Sequence, residues 1–520
     1  MKTHKSDTLY DIVEYVKRIF PVPPRCHLFR TARQDYAYDT NTGEIITCDI
    51  VSINIIKHLG KPDFGESVHE LIQKHGDELV ADSLTQLVKL SADREPPLFS
   101  TRGPTEIRYY LGFHEFKELL EHKLESVVVS LTNNCNMACR YCIYSGEHTA
   151  RATHGSDVMS KETLQSTLEY FVEHSTETEL PHFGFYGGEP TLTPELIRYV
   201  ADYLTEKFGN RRYTVGVASN FFNVSNEMLS LFRDRDFLVY VSLDGPQHIH
   251  DKWRIRPDGS GTFAQVMKNM RRLKELDPDW YSQKVSIVST MTPPFNLYDL
   301  RNFFENEDLI PSGNNALRFN FVESEESSAP DWTPEPSQMK SYMQMRQEYL
   351  NKARLGKLSD WEGNRFIKSL FDQEFLNIYR RHRNKKSFPD STFPGGICVP
   401  GKRKIYVQSD GTFLLCERVP EFKPFVIGNC QTGIDSSKAY QLCQEFAEIS
   451  AGECAQCWAV CLCDSICFRD AFNDDGPSPQ IKHAACKVLR NHKSQLLSEM
   501  CSVLEENPKA FDYMDSITVR

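Results

Sequence analysis

The cysteines constrain this chain more than any other feature. Of sixteen, three lie between Cys135 and Cys142 and ten between Cys398 and Cys486, while Cys26, Cys48 and Cys501 stand apart. Such density belongs either to disulfide frameworks in small secreted domains or to metal sites in reducing compartments. The chain has 520 residues and opens on MKTHKSDTLYDIVEYVKRIF, which is polar and charged and unlike a signal peptide. No apolar run approaches the roughly 18 residues that a membrane helix needs. The expectation is a cytoplasmic protein whose clustered thiols hold metal. A formal charge of −11 offers no general attraction to nucleic acid or to membrane phosphates.

Nearly continuous apolar runs recur at Val127–Leu131, Phe183–Tyr186, Thr214–Val217, Leu238–Leu243, Val285–Val288 and Leu317–Phe321. Runs of this kind read as strands buried on both faces. Helical stretches lie between most of them, so the expected class is α/β, a parallel array forming a partial barrel with its site at the strand C-terminal ends. Cys135-Asn136-Met137-Ala138-Cys139-Arg140-Tyr141-Cys142 follows the first run directly. Three thiolates on one loop can ligate three irons of a [4Fe–4S] cube and leave the fourth open, as a catalytic centre requires. A zinc knuckle is the bland alternative. Tyr186-Gly187-Gly188-Glu189-Pro190 ends the second run, Ser219-Asn220 the third, and Ser242-Leu243-Asp244-Gly245-Pro246 the fourth, followed by His250, Asp251 and Arg254. Thr290 ends the fifth. Polar side chains at successive strand ends are what the active site of a barrel is made from.

The loop resembles the radical S-adenosylmethionine (SAM) superfamily pattern C-x3-C-x-φ-C, with Tyr141 as the aromatic φ, and the second strand end matches that family's GGEP motif. The resemblance implies a partial (β/α)6 barrel in which Cys135, Cys139 and Cys142 hold the catalytic [4Fe–4S] cluster. It also implies SAM contacts from Tyr141, Gly187, Gly188, Glu189, Pro190, Ser219, Asn220, Asp244 and Arg254, with Glu189 pairing with the methionine ammonium. The glycines are expected to let the backbone approach the ligand closely. The implied chemistry is reductive cleavage of SAM to a 5′-deoxyadenosyl radical that abstracts hydrogen from carbon.

The second cysteine-rich stretch runs Cys398, a glycine at 411 opening G-x4-C at Cys416, then Cys454-x2-Cys457-x5-Cys463-x3-Cys467, and finally Cys486. It resembles the SPASM extension of peptide-modifying radical SAM enzymes. That resemblance implies one auxiliary [4Fe–4S] cluster on Cys454, Cys457, Cys463 and Cys486, and another on Cys398, Cys416 and Cys467. The fourth ligand of the latter is left to Cys430, Cys443, Cys461 or an open iron, with Cys430 preferred as spare. Three [4Fe–4S] clusters and SAM are thus the expected cofactors.

Residues 1–115 begin with a helical lead, pass through short alternating runs around Cys26–Arg30, Tyr36–Tyr38 and Glu44–Asp49, and continue with helical periodicity at Ile53–Leu59, Val68–Ile72 and Leu84–Leu90. They suggest a winged-helix-like module, closed by Arg94-Glu95-Pro96-Pro97, and resemble a precursor-peptide recognition element that takes a leader peptide as an added strand. Their acidic residues make a poor phosphate-binding set. The expected plan is this module, the barrel over 116–322, a helical connector over 323–395, the SPASM domain over 396–490 and a helical tail over 491–520. The basic run from Arg380 to Lys386 reads as a solvated helix face. Expected partners are a ribosomally made precursor peptide with its leader and an electron donor such as flavodoxin or ferredoxin. The function implied is a peptide crosslink, preferentially a thioether from a cysteine sulfur to carbon. Carbon–carbon crosslinking, formylglycine formation as in sulfatase-maturing enzymes, and a non-catalytic electron-transfer protein are the alternatives. His148, His154, His248 and His250 are general-base candidates by proximity only.

Overall fold

The computed structural model describes residues 3–92, 97–99, 106–146, 151–313, 316–322, 335–360, 363–381, 390–394, 398–464 and 466–517, with side chains from Leu9 onward. Helix α1 (Thr3–Ile19) leads into a three-stranded antiparallel sheet, β1 (Cys26–Arg30), β2 (Asp35–Asp39) and β3 (Ile45–Cys48), in the order β1-β2-β3. Gly43, at φ +74°, closes the β2–β3 turn. Helices α2 (Ile50–His58), α3 (Phe64–His75) and α4 (Asp77–Ala92) follow. The Asp49 carboxylate starts α2 by accepting from the Val51 and Ser52 amides.

This N-terminal module has its own core, built from residues including Val16, Ala37, Val51, Ile55, Val68, Leu84 and Phe99. Strand periodicity sends Ala37 and Leu28 into that core and Phe29, Tyr36 and Tyr38 into the main body of the protein. The sheet is therefore apolar on both faces, which fastens the module to the rest of the chain.

Six parallel strands carry the centre: β4 (Ser126–Ser130), β5 (His182–Tyr186), β6 (Thr214–Ser219), β7 (Leu238–Ser242), β8 (Val285–Met291) and β9 (Leu317–Phe321). Each pairs with the next in sequence, so every crossover winds the same way, and helices cross between β4 and β9. All six expected strands are present. Beyond β4 the sheet continues into the cysteine-rich region: β10 (Ile405–Val407) pairs with β4 in parallel, and β11 (Thr412–Leu414), β12 (Val426–Asn429) and β13 (Gly433–Ile434) complete an antiparallel meander. The centre and the cysteine-rich region thus share one ten-stranded sheet. Helices Pro336–Arg354 and Arg365–Tyr379 form the connector, and a single helix, Pro479–Leu504, runs across the expected boundary at residue 490.

One sequence expectation is modified by the structure. Arg380 is exposed, as a solvated face requires, and yet both it and the half-buried Arg381 are ties: Arg380 donates to the carbonyl of Met514 at 2.7 Å, and Arg381 to that of Gly43 at 2.9 Å. Residues 382–389, like Arg94–Pro96 and His148, lie outside the described residues.

Candidate functional site

The loop after β4 carries Cys135, Cys139 and Cys142, all half-buried. It is pinned to the segment around Arg254, with the Ala138 amide donating to Ile255 O at 2.8 Å and the Arg140 amide to Trp253 O at 3.0 Å. Each sulfur then meets a polar nitrogen from another element. Asn220 Nδ2 lies 3.7 Å from Cys135 Sγ, Arg254 Nη1 lies 4.0 Å from Cys139 Sγ, and His154 Nε2 lies 3.4 Å from Cys142 Sγ. The other His154 nitrogen, Nδ1, is 3.0 Å from Asn133 O, which can only accept, so Nδ1 carries the proton and Nε2 faces the sulfur.

Glu189 sits at the centre of the neighbouring strand ends and is 1% exposed. Its Oε1 accepts from Ser219 Oγ (2.8 Å), Thr191 Oγ1 (2.7 Å) and the Thr191 amide (3.1 Å), and its Oε2 from the Asn220 amide (2.7 Å). Burial still raises its pKa, against the pull of these donors. Glu189 therefore ties β5 to β6, a role the sequence motif does not reveal. The two glycines before it fit β5 against β4 and its loop on the other side. A Cβ on Gly187 would overlap Ser130 Oγ, and one on Gly188 would overlap Asn134 O. Glycine is required here so that the β5 loop can lie against the cysteine loop, a close approach within the chain itself.

Asp244, at the end of β7 and 1% exposed, is the second hub. Its Oδ2 accepts from the Tyr141 hydroxyl at 2.6 Å and pairs with Arg254 Nε at 3.0 Å, and its Oδ1 accepts from the Thr290 amide at 3.0 Å. The Tyr141 ring lies under the Arg254 guanidinium, 5.5 Å from ring centroid to Cζ. Burial pushes the Tyr141 phenol well above its ordinary pKa, so it stays protonated as a donor. Cys139, Tyr141, Asp244 and Arg254 thus form one packed group. His250 is fully buried, bound to the Asp244 amide and to Thr262, and burial depresses its pKa to about 4. It acts as a strut beneath Asp244. His248 is on the surface, 3.6 Å from Asp299.

The donor set suits a cluster better than a single ion. The only three ligand atoms within 4.8 Å of one another among the described residues belong to Glu118, Glu121 and His122, so no three thiols converge as they would around zinc. A cubane spreads its ligands over separate irons and leaves its sulfurs farther apart. The Asn136 amide nitrogen, buried beside Cys135, has no hydrogen-bond partner among the described residues, which leaves a donor available next to the cysteine loop.

A second group of thiols gathers in the cysteine-rich region. Cys454 ends helix Ser436–Cys454, Cys457 and Cys463 lie on the loop that follows, and Cys486 lies on helix Pro479–Leu504. Burial, then the proximity of Cys454, Cys486 and Cys457, pushes the Cys463 thiol up to about 12. Cys398 is exposed, while Cys416 and Cys467 are half-buried. After burial, the strongest influence on the Cys416 thiol is Glu417 and on the Cys467 thiol is Asp470. The three candidate fourth ligands, of which Cys430 is the preferred spare, make contacts of their own. Cys430 packs behind Gly411, Cys443 is fully buried beside Tyr109, and the Cys461 thiol donates to Thr40 O at 3.3 Å.

Residues 129–305 match the radical SAM superfamily model. The serine-type anaerobic sulfatase-maturating enzyme of Bacteroides thetaiotaomicron is 29% identical over 175 residues, covering 34% of this chain and 41% of the relative. The cysteine-type anaerobic sulfatase-maturating enzyme of Clostridium novyi is 24% identical over 362 residues, covering 67% of this chain and 88% of the relative. Among solved structures, native anSMEcpe with bound AdoMet and Cp18Cys peptide aligns with a TM-score of 0.53 at 18% identity, covering 76% of this chain and all of that one. About a quarter of this chain falls outside that match, and no described helix is long and apolar enough to cross a membrane.

Proposed function

We propose that this chain, an enzyme with a radical SAM domain at residues 129–305, crosslinks a ribosomally made precursor peptide through a hydrogen-abstraction step. The observation that carries the reading is the three-thiol loop at the strand C-terminal ends, with a polar partner for each sulfur and an unpartnered Asn136 amide beside it. Cys135, Cys139 and Cys142 would hold a [4Fe–4S] cluster, and the strand ends bearing Gly188, Glu189, Ser219 and Asn220 would cradle SAM. When bound, that pair supplies a 5′-deoxyadenosyl radical. The chain's own part is to orient and to exclude water: Glu189 locks β5 to β6, and Asp244 fixes Tyr141 and Arg254 against the cysteine loop.

Cys454, Cys457, Cys463 and Cys486 would hold one auxiliary cluster, and Cys398, Cys416 and Cys467 another. The engagement of Cys430 with Gly411, of Cys443 with Tyr109 and of Cys461 with Thr40 O favours an iron left open to a substrate cysteine, and hence a thioether product. A cluster near the substrate has a use in such chemistry, because closing the crosslink removes one further electron from the substrate after hydrogen abstraction. The N-terminal module would bind the leader along β3, the sheet's edge strand, whose outer side pairs with nothing among the described residues. The rival reading, formylglycine formation in a partner protein, is favoured by the sulfatase-maturase matches. It gives the N-terminal module no task.

Mass spectrometry of the precursor peptide after incubation with the reconstituted, reduced enzyme and SAM under anaerobic conditions tests the proposal. Loss of two hydrogens per modification, with 5′-deoxyadenosine formed, is expected, and fragmentation separates thioether from carbon–carbon bonds. Modification of a sulfatase peptide but not of the precursor would replace this reading with its rival.

A further inference from the structure

Helix Pro479–Leu504 carries Lys482 one turn before Cys486 and Arg490 one turn after it, so all three share a face. That face is turned toward the four gathered thiols. Lys482 Nζ lies 3.3 Å from Cys454 Sγ and 3.7 Å from Cys486 Sγ, and the residue is 1% exposed. Arg490 faces Cys457, but its Nη1 is held at 2.8 Å by Glu453, which also meets His483 at 3.1 Å. Among the described residues Lys482 forms no ion pair within 4.0 Å, and the Phe446 ring lies 5.9 Å from its ammonium. Burying an ammonium without a counter-charge is unfavourable. Two neutral thiols supply no such charge, whereas two thiolates of an iron–sulfur cluster do.

The first thiol group is balanced differently. There the cation nearest a sulfur is Arg254, and Asp244 cancels its charge at 3.0 Å. The same pairing of a cation with a cysteine thus appears twice, once ion-paired to a carboxylate and once, at Lys482, with Glu453 acting only from beyond 4.0 Å while it pairs with Arg490. A cluster bound by four thiolates is anionic in both redox states and gains a further negative charge on reduction. An uncancelled cation against its ligands therefore favours the reduced state.

We propose that Lys482 is the charge that retains and tunes the cluster bound by Cys454, Cys457, Cys463 and Cys486, raising its reduction potential so that it accepts an electron more readily than it would without that cation. The inference rests on reading these four thiols as cluster ligands. Lys482 is a tuning residue and touches no substrate.

The test uses the full chain carrying Cys135→Ala, Cys139→Ala, Cys142→Ala and Cys416→Ala, which removes the first cluster and breaks the Cys398 group. Iron and sulfide are restored anaerobically, iron content is measured, and the reduction midpoint is read by electron paramagnetic resonance during a redox titration. In this background Lys482→Met is expected to lower the reduced-to-oxidised ratio at the parent midpoint at least tenfold, a shift of at least 59 mV to more negative potential for one electron. Lys482→Arg, which keeps the charge, should stay within threefold of the parent. Loss of iron from Lys482→Met but not from Lys482→Arg also supports the proposal, because charge then retains the cluster. A Lys482→Met midpoint equal to the parent's, or equal loss of iron from both variants, overturns it. A parent chain that binds no iron overturns the reading of the four cysteines itself, and is seen before any potential is measured.

Discussion

His27 lies flat on Trp458, with ring centroids 3.8 Å apart and planes 13° from parallel. The stack joins the first strand of the N-terminal sheet to the residue after Cys457. Around it, Thr40 donates to Trp458 O at 2.8 Å, Arg25 donates to Ala455 O at 3.2 Å, and His27 meets Ser494 at 2.8 Å. Tyr36 and Thr31 both donate to Glu505, at 2.8 and 2.6 Å. The face made by His27, Phe29, Tyr36 and Tyr38 therefore seats the module on the helix and loop that carry Cys457 and Cys486. Aromatic stacks of this kind contribute about 0.5–1.5 kcal/mol beyond burial. A double-mutant cycle on His27→Ala and Trp458→Ala, read from urea denaturation, should return a coupling of about 1 kcal/mol. A coupling near zero would mean the rings are adjacent without holding the module.

The same stack gives the module a pH dependence. Burial depresses the pKa of His27 from its ordinary 6.5 to about 4. Between those values the unfolded chain binds a proton that the folded module refuses. The stability that neutral His27 contributes is thus complete above pH 6.5 and is lost as the pH falls toward 4. His27→Phe preserves a stacking ring and removes the titration, so its melting temperature should fall less steeply across that window than the parent's. His182 and His250, also depressed to about 4 by burial, keep some slope in both proteins. Calorimetry at pH 7, 6 and 5 reads the difference, and parallel curves for the two proteins would contradict it.

Gly188 offers a test of what the GGEP glycines are for. Its missing side chain accommodates Asn134 O, just ahead of Cys135. Gly188→Ala must push the cysteine loop away from β5, and overpacking of this kind costs typically 1–3 kcal/mol. The expected outcome is a folded protein, by far-ultraviolet circular dichroism, that binds less iron by the content of one cluster. Full iron content would show that the loop yields without harm, and would return the glycines to the role of ligand approach.

The six central strands were legible because each is a short apolar run between helical periods, and the three-thiol loop because its spacing is local. Helices α2, α3 and α4 were legible for the same reason. Contacts between elements separated in sequence left no such trace. Nothing near Ile405 announces that it pairs with Val127, so the continuation of the sheet into the cysteine-rich region came only from the structure. Lys482 reads as an ordinary helix lysine until Cys454, 28 residues earlier, is folded against it. Tyr141 was visible as an aromatic in the motif, while its bond to Asp244, 103 residues away, was not. Glu189 was found by its motif and yet its partners were not, because a buried carboxylate's donors come from whichever strands fold beside it.

The surplus cysteines lead to the last prediction, which bears on the product. If an iron at the Cys398, Cys416 and Cys467 group is open to substrate, no other thiol of the chain completes it. The Cys461 thiol is engaged with Thr40 O at 3.3 Å, Cys443 is sealed beside Tyr109, and Cys430 packs against Gly411. Cys430→Ser, Cys443→Ser and Cys461→Ser should therefore each retain the parent's iron content, with at most the loss of stability expected when a buried hydrophobe becomes polar. Cys416→Ser should lose iron. A peptide containing cysteine should perturb the paramagnetic resonance of the reduced parent, and its Cys→Ser counterpart should not. Loss of a cluster's worth of iron from any one of the three variants would identify that residue as the fourth ligand. It would also close the position that the thioether reading needs, leaving carbon–carbon crosslinking as the better account.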